Sequence, residues 1–186
     1  MRIISGNFKG KKIFLPPDRN TRPLRDMVKE SIFNLIQHSN KIDIKINHSN
    51  ILDLFSGTGS FGLECLSRGA KNVIFVENYS QILKILKKNI KLLNAIENYK
   101  IIENDCFKFF EDRKESKNKF DIIFLDPPYK EKKINTILDI IKENQILSSN
   151  GIVVIHRHKK DDIQITRKLK ILDERTYGIS KIIIGN

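Results

Sequence analysis

The segment FDIIFLDPPYKEKK, residues 120–133, runs an apolar strand into a carboxylate, two prolines and a tyrosine, and then into lysines. That order of groups suits one kind of chemistry. An exocyclic amine on a nucleobase is a poor nucleophile, because its lone pair is delocalised into the ring. Activating it takes acceptors that hold both N–H bonds and turn the lone pair out of the ring plane. The Asp126 carboxylate offers one acceptor and the Pro127 carbonyl a second, and proline carries no backbone N–H to compete. Pro128 stiffens the corner, and Tyr129 gives a flat face on which an extruded base can rest. Lys130 stands where a phosphate backbone would arrive. Methyl transfer by in-line displacement fits such a corner, since positioning supplies much of the rate and the methylated nitrogen sheds its proton easily. An isolated Asp-Pro-Pro reads more simply as a capped turn. Placed at the end of an apolar strand, two strands after a glycine turn, it reads as chemistry.

The glycine turn lies in DLFSGTGSFG, where Gly57, Gly59 and Gly62 make a literal GxGxxG opening a helix, with Glu77 twenty residues after Gly57. As a pattern this is a dinucleotide fingerprint, but the pattern alone is weak. The charges favour a different ligand. A dinucleotide brings a pyrophosphate, which welcomes backbone N–H groups and dislikes carboxylates. Here Asp53 precedes the turn, and Glu77, Asp105 and Asp126 follow at later strand ends. S-adenosylmethionine, with a sulfonium, an ammonium and no phosphate, suits that acidic crown. Glu77 is placed for its ribose hydroxyls and Asp105 for its adenine amine. Taken singly, Asp105 reads equally well as a helix cap.

The elements that must hold these residues follow a regular rhythm from Ile51 onward. NILDLF, NVIFVE, YKIIEN, FDIIFLD and GIVVIH read as strands. SFGLECLSRG, SQILKILKKNIKLLN, a short helix near CFKFFED, and INTILDIIKEN read as the helices between them. This alternation predicts a mostly parallel sheet covered on both faces, with ligands beyond the carboxyl ends of its strands. The last segments, RKLKILDERTYG and ISKIIIG, close the sheet as a hairpin with an antiparallel strand on its edge. Before the rhythm begins, RIISGNFKGKKIFL reads as strand, glycine turn, strand, and RPLRDMVKESIFNLIQHS as a helix with Pro23 in its first turn. Leu24, Val28, Ile32, Leu35 and Ile36 form its apolar stripe. The polar SNKIDIKINHSN divides an N-terminal extension, residues 1–48, from the main domain, residues 49–186.

Composition narrows the function class. A chain of 186 residues suits one well-buried domain, and its 40% apolar and 30% charged residues are ordinary for a soluble protein. No stretch is long and apolar enough for a membrane span, and MRIISGNFKGKK lacks the apolar region of a secretory signal, so a cytoplasmic location is expected. Cys65 and Cys106 are far apart, in no metal-binding or disulfide pattern, and read as buried thiols. The net charge of +12 favours anionic partners, nucleic acid first. Half of it sits in residues 1–25, where Arg2, Lys9, Lys11, Lys12, Arg19, Arg22 and Arg25 face Asp18 alone. His38 and His48 read as surface residues. His156 and His158, with Arg157, Lys159 and Lys160, read as an exposed basic edge without a metal.

Over nearly its whole length the chain resembles the RsmD-type small-subunit ribosomal RNA methyltransferases. RIISGNFKGKKI, TRPLRDMVKESIFN, ILDLFSGTGSFGLECLSRGA, FDIIFLDPPY and YGISKIIIG carry the likeness. The DPPY and glycine motifs occur in many amino-methyltransferases; the opening hairpin, the TRP-containing helix and SRGA are more specific. The resemblance implies a Rossmann-like class I methyltransferase fold, α/β, with a seven-stranded, mostly parallel sheet and a C-terminal antiparallel hairpin. It implies S-adenosylmethionine-dependent methylation of N2 of one guanine in 16S rRNA, the guanine-966 class, on an assembling small subunit, by a monomer. Asp53, Phe55, Gly57, Gly59, Glu77, Asn78, Asp105 and Cys106 would then bind the cofactor, and Asp126, Pro127, Pro128 and Tyr129 would form the catalytic corner. Arg2, Lys9, Lys11, Arg22, Arg25 and Lys130 would bind RNA, and no metal is implied. Three positions depart from the family pattern: Leu24 replaces a usual threonine, Lys29 a usual arginine, and VIHRHKK a strand end that usually carries an acid. Rival readings are a DNA adenine-N6 or cytosine-N4 methyltransferase, an NAD-linked oxidoreductase, and a non-catalytic RNA-binding factor. The first lacks room for a large target-recognition domain.

Overall fold

The computed structural model describes residues 1–16, 24–94, 97–112, 118–128, 130–161, 165 and 169–186. Tyr129, Arg22 and Pro23, singled out above, lie outside them. The described elements are α1 (Asp26–His38), β1 (Asn50–Leu54), α2 (Ser60–Ser67), β2 (Asn72–Val76), α3 (Ser80–Lys91) and β3 (Tyr99–Ile102). They continue with α4 (Cys106–Glu111), β4 (Phe120–Leu125), α5 (Ile134–Glu143), β5 (Leu147–His158), β6 (Ile171–Tyr177) and β7 (Ser180–Gly185).

Period-two alternation builds the two cores. Ile51, Ile122, Phe124, Ile152, Val154, Ile182 and Ile184 face one apolar cluster with α1, α2 and α3. Leu52, Leu54, Ile123, Leu125, Val153, Ile155 and Ile183 face the other with α4 and α5. Strands buried on both faces read as continuous apolar runs, as these do. The strand order is β3-β2-β1-β4-β5-β7-β6. The chain moves outward from β1 to β3, returns to β4 on the far side of β1, and so opens a switch point between β1 and β4.

Register makes that crevice a site. Leu54 lies beside Val76 and Leu125, and Leu125 beside Ile155. The residues that follow, Phe55, Glu77, Asp126 and His156, therefore emerge together at one edge of the sheet.

The hairpin differs from the expectation in one respect. The antiparallel strand β7 is inserted between β5 and β6, and the edge belongs to β6. Burial explains this: Ile182, Ile183 and Ile184 bury both faces of β7, whereas the ILDERTY run of β6 has solvent-facing charges suited to an edge.

The N-terminal segment also departs from the expected pair of strands. Its two arms share one antiparallel bridge, Arg2 to Lys12, with bonds from Ile3 N to Lys11 O and Gly10 N to Ile3 O, both 2.9 Å. The turn spends its other backbone groups on α2. Asn7 N donates to Ser67 O at 2.8 Å and Phe8 N to Ser67 Oγ at 3.0 Å. Gly6, at φ +80°, permits this approach; a Cβ there would lie 1.9 Å from Ser67 O. Ile3 and Ile13 join the cluster of α1 and the sheet, and Phe61 of α2 stacks between Phe33 of α1 and Phe124 of β4, at 5.2 and 4.1 Å.

Candidate active site

A cavity of about 850 Å³ occupies the switch point. That is within the span of about 300–1,000 Å³ typical of small-molecule sites. Of the residues expected to act, Phe55, Gly57, Glu77, Asn78, Asp105, Cys106, Asp126, Pro127, Pro128 and Lys130 are on its wall. Asp53 and Gly59 are not.

The glycine turn is held closed by its own hydrogen bonds. Gly57 N donates to Glu77 Oε2 at 2.8 Å, Gly59 N to Ser56 O at 2.8 Å, and Gly62 N to Asp53 Oδ2 at 3.0 Å. The N–H groups of the three glycines are thus already engaged, two of them by carboxylates. Phe55 and Gly59 take left-handed backbone, at φ 60° and 83°, to make the sharp bend into α2. For a residue with a side chain that conformation costs about 1–2 kcal/mol, a strain typical of functional turns.

Asp53 stands apart from the others: alternation sends it to the α2 side with Ile51, and it is 1% exposed behind the turn. Its Oδ1 has no hydrogen-bond partner among the described residues, and burial pushes its carboxyl well above the usual range, with Asp126 and Glu77 adding to the rise. Asp105 caps α4, its Oδ1 accepting from Phe107 N at 2.8 Å, while Oδ2 lies 3.5 Å from Asn78 Nδ2. The cap reading of Asp105 is therefore present in the fold, on a residue that also lines the cavity. Burial, then Asp105 and Glu131, push the Cys106 thiol up to about 12.

Four carboxylate residues, Glu77, Asp105, Asp126 and Glu131, line the cavity against one basic side chain, Lys130, among the described lining residues other than His156. Asp126 Oδ1 is 2.8 Å from His156 Nδ1. Arg157 Nη1 donates to Pro127 O at 3.4 Å and to Pro128 O at 3.1 Å. The expected exposed basic edge is therefore wrong for these two residues: His156 is 6% and Arg157 2% exposed. They sit where β5 is flanked by β4 and β7; His156 Nδ1 and Arg157 Nη1 turn to the Asp126 corner, while the rest of the Arg157 guanidinium pairs with Asp161. Periodicity could not reveal a partnership across thirty residues; the strand-end register could have. His38 and His48 are exposed, as expected.

The N-terminal segment reaches the same wall. Leu24 lines the cavity, and Asn89 of α3 accepts from Phe14 N while donating to Thr58 O at 3.0 Å, joining that segment to the glycine turn. Arg2, Lys9, Lys11 and Arg25 are exposed. Beneath them Lys29 is fully buried, donating to Arg2 O at 2.7 Å. Glu64, also fully buried, accepts from Ile4 N, Ser5 N and Arg68 Nε at 2.7–2.9 Å.

The family described as Conserved hypothetical protein 95 matches residues 1–186. The Bacillus subtilis protein YlbH is 35% identical over 99% of this chain and 97% of its own length. The Haemophilus influenzae protein named Ribosomal RNA small subunit methyltransferase D is 31% identical over 96% of this chain and 90% of its own. Among solved structures, Escherichia coli yhhF superposes with a TM-score of 0.82 at 24% identity, over 100% of this chain and 96% of that one.

Proposed function

The chain belongs to the Conserved hypothetical protein 95 family, the RsmD family, and from that premise we propose that it is an S-adenosylmethionine-dependent ribosomal RNA methyltransferase. Its target is N2 of a guanine in 16S rRNA, of the guanine-966 class, met as a monomer on an assembling small-subunit particle. The carrying observation is one cavity with two properties: the N–H groups of its three turn glycines are already taken, and its wall is mainly anionic up to the Asp126 corner. Such a wall suits a cationic donor and repels a pyrophosphate. When bound, S-adenosylmethionine supplies an electrophilic methyl on a sulfonium.

The chain's own residues do the rest. Glu77, fixed by Gly57 N, Asn78 N and Tyr79 N at 2.8–3.0 Å, presents a carboxylate at the end of β2 for ribose hydroxyls. Asp105 and the start of α4 would face the adenine, and Asp53, when ionised, would add negative potential from behind the turn. Asp126 accepts one N–H of the guanine amine and Pro127 O the other, so the lone pair turns toward the methyl. With S-adenosylmethionine bound, that lone pair would displace the methyl from sulfur, which would keep the S–C pair, and the nitrogen's excess proton would leave to Asp126 or water. Tyr129 provides the stacking face. Residues 1–48 act as an rRNA-binding extension, with Arg2, Lys9, Lys11, Arg22 and Arg25 on phosphates and Lys130 at the cavity mouth.

The test is transfer of labelled methyl to stripped small subunits, 16S rRNA and DNA in parallel, with the modified position mapped in rRNA. Label on guanine N2 of small-subunit rRNA is expected. Label confined to DNA, or to adenine, would overturn the reading.

A further inference from the structure

We propose that His156 is the positioning residue of the Asp126 corner, gripping one carboxylate oxygen so that the other is presented to the substrate amine. The assignment rests on the amino-methyltransferase reading above. Register gives the first support. Leu125 and Ile155 pair on adjacent parallel strands, so Asp126 and His156 leave the sheet side by side. Their contact, Nδ1 to Oδ1 at 2.8 Å, is a full hydrogen bond.

The state of the ring follows from its partner. A carboxylate only accepts, so the hydrogen lies on Nδ1. Nε2 is buried and has no partner among the described residues. An apolar side chain would have filled this strand end at lower cost, because a buried, unpaired nitrogen is unfavourable. The polar ring contributes one contact here, and that contact is with Asp126.

The geometry of Asp126 shows the consequence. Its side chain is 20% exposed while that of His156 is 8% exposed, so the imidazole covers the inner side of the carboxylate and leaves an outer side open. Oδ1 is engaged, and Oδ2 has no hydrogen-bond partner among the described residues. An aspartate on a chain corner would otherwise rotate about its last torsion, which is broad and shallow. A donor on one oxygen fixes the carboxylate plane. The free oxygen then keeps a constant direction relative to Pro127 O, whose own position Arg157 Nη1 restrains from the next residue of β5. In this chemistry direction is the main requirement, since the two acceptors must hold the amine's N–H bonds at once.

The experiment uses the full chain, labelled S-adenosylmethionine and stripped small subunits. It compares wild type with His156→Phe, which keeps a ring but has no nitrogen, and with His156→Asn, whose amide nitrogen can occupy the place of Nδ1. His156→Phe should lower kcat by about 10²-fold, the scale of a misplacement of about 1 Å. Its KM for S-adenosylmethionine and its S-adenosylhomocysteine affinity should stay within about twofold. His156→Asn should recover at least about tenfold of that loss. Nitrogen NMR of the wild type, with the His156 resonance identified from the variants, should show Nδ1 protonated and Nε2 bare, and the pattern should be lost in Asp126→Ala. This readout decides the matter even if His156→Phe does not fold. An active wild type with full kcat in His156→Phe, or a ring protonated at Nε2 alone, overturns the assignment while leaving the methyltransferase reading intact. A wild type that methylates no nucleic acid overturns both.

Discussion

Two groups of charged side chains are built into this molecule, and the fold treats them in opposite ways. Beneath the N-terminal segment, Glu64 and Asp26 balance Lys29 and Arg68. Glu64 accepts three hydrogen bonds, and Lys29 lies 3.7 Å from Glu64 and 3.9 Å from Asp26. At the strand ends, Asp53, Glu77 and Asp105 take backbone and amide donors but no lysine or arginine among the described residues, and one oxygen of Asp53 has no partner there. Burying charge is costly unless it is paired. A closed knot of both signs therefore holds the N-terminal segment to α2. A cavity wall with four carboxylates against Lys130 has most of its counter-charge still to come, and that difference separates scaffold from site.

Breaking the knot should give the largest effect. Lys29→Ala leaves Glu64 with Arg68 and two backbone N–H groups and removes the donor to Arg2 O. Loss of one partner of a buried pair costs about 3–5 kcal/mol, and chemical denaturation should show a loss near the lower end, since Arg68 remains. Burial lowers the Lys29 pKa, with Glu64 and Asp26 opposing. The native state then binds fewer protons there than the unfolded chain, so this site's contribution to stability rises with pH between the folded and the ordinary lysine values. A loss under about 1 kcal/mol would mean the knot is not a structural clamp.

Asp53, buried behind that wall, predicts the opposite sign. The Asp53 carboxyl is raised, so the native state holds a proton that the unfolded chain gives up near pH 4. Stability from this site is greatest below that pH and falls as pH rises through the folded value. Asp53→Asn should remove that slope and leave the cofactor-free protein more stable than wild type at pH 8. Where its carboxyl is ionised, the same change should also weaken S-adenosylmethionine by removing a negative charge, and more at pH 8 than at pH 6. Calorimetric titration at pH 6 and pH 8 checks both effects. An Asn variant that binds S-adenosylmethionine as tightly as wild type would show that Asp53 is a mere strut for Gly62.

The exposed cations sharpen the comparison from outside. Lys9 and Arg25 are charges at the surface, and Lys11, also exposed, has its Nζ 2.6 Å from Leu92 O. Neutralising all three should weaken rRNA binding and flatten its salt dependence by about 0.7–0.9 in log–log slope for every phosphate no longer neutralised. Filter binding over a salt series measures this; an unchanged slope would place the RNA face elsewhere.

The sequence makes some of this visible and hides the rest for definite reasons. The cores are legible because alternation is local: Ile51 and Leu52 already point to opposite faces. The glycine turn and the Asp126 corner are legible because their residue types are unusual at a strand end. The order of β6 and β7 is harder to read, because a hairpin leaves either strand free to be the edge; the unbroken Ile182–Ile184 run is the available signal. Asp53 belongs to the expected strand end but to the other side of the turn, which the parity of β1 decides. His156 and Arg157 look like their basic neighbours in the sequence, whereas a partner across the sheet settles their state.

Cys106 offers the finest probe of the wall, because it reports the local field without taking part in binding charge. Its thiol is pushed up to about 12 by burial first, then by Asp105 and Glu131. An ordinary thiol near 8.5 is partly ionised at pH 8, whereas this one should be ionised about 10³-fold less. Thiolate absorbance against pH, with Cys65→Ser as background, should show Cys106 titrating far into the alkaline range. Glu131→Gln removes one negative neighbour and leaves the burial unchanged, so the same thiol should titrate earlier, by a small margin. No change would mean that the Glu131 charge is screened from the thiol and that burial and Asp105 suffice to raise it, weakening the claim that the wall acts as one anionic surface.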